Sequence, residues 1–167
     1  MAIAPIILLG VSLISAGGGL IARPPVKLIS QSHVPAIPTP SPAEPKTRYE
    51  SYRGVTVGMS QAQAREKLGA AEQRSNSGDY YVFSTTESAQ VLFDRDQTVK
   101  SITVNYTGNI KTAPSPKEIL GEDAKKESDG SIYKLVRYPS AGFWVSFNRT
   151  AGDGPTIIVT LQKMPKE

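Results

Sequence analysis

The chain of 167 residues contains no cysteine. That excludes disulfides, thiolate metal sites, cysteine nucleophiles and a lipidated N-terminal cysteine. There is one histidine, His33, and one tryptophan, Trp144. Aromatics are missing from the first 48 positions, and every one lies at or after Tyr49. The leading stretch therefore has little with which to build a core. A small domain after it, without staples, must rest on its hydrophobic interior alone. A basic stripe is missing too. The net charge is +4 and Lys125-Lys126 is the only adjacent basic pair, which argues against a nucleic-acid partner. The length suits one domain or two very small ones.

What is present begins with "IAPIILLGVSLISAGGGLIA", residues 3–22, which carries no charge. About 20 apolar residues are needed to cross a bilayer core of roughly 30 Å. The stretch reads as an N-terminal transmembrane anchor over residues 1–23, kept in the mature protein, with Arg23 and Lys27 just past its end. Cleavage near Ala16 or Ala22 would make it a signal peptide instead, but the basic leading region of such peptides is absent. Residues 24–46 read as a Pro-rich linker. "VPAIPTPSPAEP" (34–45) holds five prolines, which favour an extended spacer. The positive-inside rule, applied to Arg23, Lys27, Lys46 and Arg48, puts the following domain in the cytoplasm.

Two helices are expected in the remainder. In "GMSQAQAREKLG" (58–69), Ser60 is an N-cap, Gln63 completes a capping box, and Gly69 is placed to end the helix in the left-handed conformation. In "PSPKEILG" (114–121), Ser115, Pro116, Glu118 and Gly121 occupy the corresponding places. Tyr81 lies twelve residues past Gly69, and Tyr133 twelve past Gly121. Strands are expected at 80–84, 91–95 and 99–106, then at 133–137, 145–149 and 155–162. "VLFDR" (91–95) returns as "VSFNR" (145–149), with Asp94 and Asn148 read as starting turns. The expected fold class is α+β. One short helix plus three antiparallel strands occurs twice, as repeat 1 (47–110) and repeat 2 (111–167). The two repeats share a sheet, preceded by the transmembrane helix.

The string "GMS…LG…YYVF…VLFD…VKSI" resembles the SmpA/OmlA (BamE-type) envelope lipoproteins. The duplication resembles the β-lactamase-inhibitor-protein-like fold. The likeness covers about residues 54–163. The lipoprotein family's N-terminal cysteine and the inhibitor's disulfides are both absent here. The resemblance implies a non-catalytic protein that binds other proteins on the extracytoplasmic, periplasmic side, opposite to the side given by the positive-inside rule.

No catalytic, cofactor or metal site is assigned. A Ser/His/Asp triad would need His33, which sits in the linker. Asp94 and Asp96 read as turn residues rather than an acid/base pair or calcium site. "AGDGP" (151–155) precedes a strand and reads as a turn, not a phosphate cradle. By strand alternation, Val91, Phe93, Phe143, Val145 and Phe147 face the helices, and Leu92, Trp144, Tyr80 and Val82 face the other way. Those four are the candidate protein-binding residues, unless a loop, residues 47–57 or the other repeat covers them.

Two functional expectations follow. One is a non-catalytic, membrane-anchored protein-binding module of the bacterial cell envelope, assisting assembly or regulation of other envelope proteins. It would meet the bilayer through residues 3–22. The alternative is an accessory structural subunit of a larger integral-membrane complex, of respiratory or photosynthetic type, with Gly17-Gly18-Gly19 allowing close helix contact.

Overall fold

The computed structural model describes residues 49–165. A small hairpin comes first, β1 (Ser51–Tyr52) against β2 (Val55–Thr56). Helix α1 (Gln61–Leu68) starts where Ser60 caps it. The Ser60 hydroxyl accepts from the Gln63 N–H at 3.3 Å, and the Gln63 side chain accepts from the Ser60 N–H at 3.4 Å. Four strands follow: β3 (Gln73–Arg74), β4 (Gly78–Val82), β5 (Glu87–Phe93) and β6 (Val99–Tyr106). Helix α2 (Pro116–Leu120) repeats the device with Ser115 and Glu118. The chain then forms β7 (Ile132–Tyr138), β8 (Phe143–Arg149) and β9 (Ile157–Lys163).

The seven later strands form one antiparallel sheet in the order β3-β4-β5-β6-β9-β8-β7. The order reads outward from the centre as β6, β5, β4 on one side and β9, β8, β7 on the other. One face is mostly apolar, with Asp79 and Lys134 at its two flanks. A row across it runs Asp79, Val91, Ile102, Leu161, Val145, Val136. The next runs Tyr81, Ala89, Val104, Val159, Phe147, Lys134. Ala64 and Leu68 of α1, Ile119 and Leu120 of α2, and Tyr52 and Val55 of the hairpin close over this face in a single core.

Both sheet edges are blunted. At one, the two-residue β3 covers part of β4. At the other, Lys126 bridges Ile132 at the start of β7. Each covering segment is the stretch that leaves a helix. An uncovered edge is a template for pairing with another chain, and such short covers interrupt it.

The expected α+β class with an N-terminal transmembrane helix is corrected. The described residues are mostly a seven-stranded antiparallel sheet with a second, two-stranded sheet. The helices have only 8 and 5 residues, because Gly69 and Gly121 stop them early. Most of the core is therefore strand side chains. The membrane-anchored, periplasmic localisation is corrected with it. Among the described residues no helix is long and apolar enough to cross a membrane. The anchor reading of residues 3–22, the linker of residues 24–46 and His33 lie outside the described residues.

Smaller differences have local causes. Gly121 is left-handed, with φ 81° and ψ −4°. Gly69 has φ 79° but ψ −141°, so the chain leaves α1 extended instead. Asp94 starts a turn, its N–H donating to Thr98 and its carbonyl accepting from Gln97. Asn148 does not: it stays in β8 opposite Ile158 and Tyr133. The phrase "VLFDR" ends its strand two residues earlier than "VSFNR" because the ladder shifts register between Leu92 and Phe93.

Phe93 and Phe147 both lie in the core, 6% and 1% exposed. Phe147 stands between Val159 and Lys134 in the sheet. Phe147→Ala should lower stability by about 3–5 kcal/mol through lost transfer energy and the cavity left behind. Urea unfolding checks this: the midpoint should fall with the slope unchanged.

Candidate protein-binding face

The face opposite the core is reached by the alternate residues of the same strands. Its rows follow from the register. One runs Gly78, Leu92, Ser101, Gln162, Trp144, Arg137. The next runs Tyr80, Gln90, Thr103, Thr160, Ser146, Leu135. The third runs Val82, Ser88, Asn105, Ile158, Asn148, Tyr133. Arg137 is the one charged side chain in these rows. The large hydrophobics that stand out as exposed among the described residues are Val82 (54%), Leu92 (37%) and Tyr133 (67%), and all three are on this face.

Trp144, Leu92, Tyr80 and Val82 therefore share one face, as alternation predicts. They are not one cluster. Leu92 and Trp144 occupy one row, on β5 and β8, with Ser101 and Gln162 between them. At about 4.8 Å per strand the two are some 14 Å apart. Tyr80 and Val82 lie in the next rows on β4. Residues 51–56 do not cover them, because Tyr52 and Val55 pack into the core on the other side. Leu92 is held by its neighbour: a Cβ on Gly78 would come within 2.7 Å of the Leu92 Cδ2. Only glycine leaves room for Leu92 to lie there.

Tyr133 is the most exposed of the three, and alternation alone did not single it out. In β7 both parities carry apolar residues: Ile132 and Val136 on one side, Tyr133 and Leu135 on the other. The signal lay in the partner strand. Tyr133 stands opposite Asn148 and Arg137 opposite Trp144, so both belong to the polar parity of β8.

The two acids of the β5–β6 turn have partners. Asp94 takes an ion pair from Lys163 at 2.9 Å. Asp96 accepts from the Thr98 hydroxyl at 2.7 Å and the Thr98 N–H at 3.1 Å. Among the described residues no three acidic or histidine side chains come together as a metal site. A groove of about 550 Å³ lies between Val57, Pro139, Gly142 and Met164, and its one charged group is Lys163. Near the start of the sheet, Arg53 lies 4.0 Å over the Phe83 ring and donates to Glu87, which also accepts from the Tyr52 hydroxyl at 2.6 Å. This cluster ties the β1–β2 hairpin to β5.

No protein-family profile matches the chain, and no curated protein and no solved structure is similar to it. The likeness to BamE-type lipoproteins thus rests on the short motifs quoted above.

Among the described residues, the one deeply buried charge is Asp79, on the core face at β4. Arg65 of α1 donates to both its oxygens, at 2.8 and 2.9 Å. The Ser75 N–H and the Tyr81 hydroxyl complete its shell at 3.3 and 3.2 Å. Burial opposes ionisation, but these donors outweigh it and hold the carboxyl below its ordinary value. Burial and the neighbouring Asp79 charge push the Tyr81 phenol up to about 12. The network locks α1 onto the sheet and offers no free base. A depressed carboxyl pKa contributes stability above the unfolded value of about 3.9, and loses it as pH falls through the folded value. Arg65→Met should therefore cost about 3–5 kcal/mol at pH 7, since it leaves a buried carboxylate unpaired. The gap to the parent should narrow at acid pH, as Asp79 takes up its proton. Urea titrations at both pH values test this; an equal gap at both would assign the loss to packing.

Proposed function

We propose that this chain is a non-catalytic protein-binding module whose contact surface is the open sheet face. The observation that carries the reading is compositional. The face is six strands wide, holds Arg137 as its one charge, and bears the exposed Val82, Leu92 and Tyr133. Charge depletion with aromatic enrichment is the mark of an interface centre. A soluble surface left to water carries charges throughout. The partly blunted edges, with β3 on Asp79 and Tyr80 and Lys126 on Ile132, leave the face as the broader surface. Such a module assists the assembly or regulation of other proteins by holding them. The engagement of Asp79, Asp94 and Asp96 by neighbouring donors supports a binding rather than a catalytic role.

Trp144 is half-buried at the face, and the core row beside it is untouched by its removal. Trp144→Ala should weaken partner capture by about 2 kcal/mol or more, a loss of roughly thirtyfold. Far-UV circular dichroism should stay the same. The measurement is crosslinking capture from native extract with parent and variant as bait. Equal yields of the same partners would move the contact off this face, and an unfolded variant would place Trp144 in the core.

A further inference from the structure

We infer that the face binds a second copy of the chain, the two sheets packing face to face. This rests on the reading of the face as a protein-binding surface. A two-fold contact brings a patch against itself, so any cluster of one charge sign would repel. This face, with Arg137 alone at its rim strand β7, avoids that.

The rows are also self-complementary. A two-fold axis along the strands, between β6 and β9, exchanges β5 with β8 and β4 with β7 across the interface. Leu92 then faces Trp144 of the second copy, Val82 faces Tyr133, and Tyr80 faces Leu135. The polar positions meet polar positions in the same operation: Gln90 with Ser146, Thr103 with Thr160. Arg137 falls over Gly78, where the neighbouring Leu92 side chain fills the space. Asn105 against Ile158 is the one mismatch.

The size suffices. Six strands at about 4.8 Å and three rows at about 7 Å give roughly 600 Å² per copy. That is about 1,200 Å² per pair, at the lower end for a specific interface. Stacked sheets sit about 10 Å apart, which the half-buried Trp144 and Tyr80 can fill.

The test is the mass of the full chain in solution, by sedimentation velocity across a concentration series. Emission of Trp144, the chain's only tryptophan, is read alongside. The parent should form a dimer with blue-shifted emission as concentration rises. Thr160→Lys, beside the axis, should weaken dimerisation at least about tenfold by setting an ammonium group into the contact. Tyr133→Lys does the same at a position too exposed to affect folding. Mixing Thr160→Lys with Thr103→Glu should restore the dimer, because the two new charges face each other. A parent that stays monomeric, or both lysine variants remaining dimeric, overturns the inference. If the parent is monomeric yet Trp144→Ala still loses its captured partners, the face binds a different protein and the proposed function stands. If capture is also unchanged, both readings fall.

Discussion

Everything in this structure hangs on the pairing of β6 with β9. Ser101 to Tyr106 lies antiparallel to Ile157 to Gln162 along nearly the full length of both strands. Each half of the domain, a short helix with its own strands, is too small to bury a core in isolation. The central ladder makes the apolar rows continuous, so that Ile102 meets Leu161 and Val104 meets Val159. All four side chains are fully buried. Two marginal units thereby share one interior.

That pairing also decides what the surface looks like. Strand alternation gives the sheet two faces, and there is covering material for only one. Two short helices and a hairpin close over the side with Val91 and Val145. The other side is left as a broad lattice of serine, threonine, asparagine and glutamine with aromatic and aliphatic residues toward its flanks. The same two-sidedness explains the placement of charge. The buried Asp79 sits at the rim of the covered face, where Arg65 can reach it from α1 with part of its own side chain still in water. The Arg53 cluster likewise works at the boundary between hairpin and sheet.

Local chemistry was readable in the chain, and long-range context was not. Ser60 with Gln63 and Ser115 with Glu118 marked both helix starts, because a capping box is a four-residue event. The parity of Leu92 and Trp144 followed from a period of two. The helices looked weightier on paper than they are, since a cap says where a helix begins and little about how much core it covers. β3 and the β1–β2 hairpin escaped notice because two-residue strands have no period. Asn148 looked like a turn residue, yet its neighbours across the ladder, Tyr133 and Ile158, keep it extended. Asp79 gave no hint of burial, because its counter-charge lies fourteen residues earlier on another element.

The central ladder has a consequence in time. The strands of each half pair with near neighbours in sequence, so β4, β5 and β6 can assemble as soon as they are made. β6 must then wait for β9, some fifty residues further on. At synthesis rates of about 5–20 residues per second, that leaves the nascent chain with an open, β-branched strand for roughly three to ten seconds. Each outer edge of the finished sheet is guarded in part by a segment encoded before the strand it covers. The inner edge has no such guard, and during translation it is the part of the molecule most in need of a chaperone.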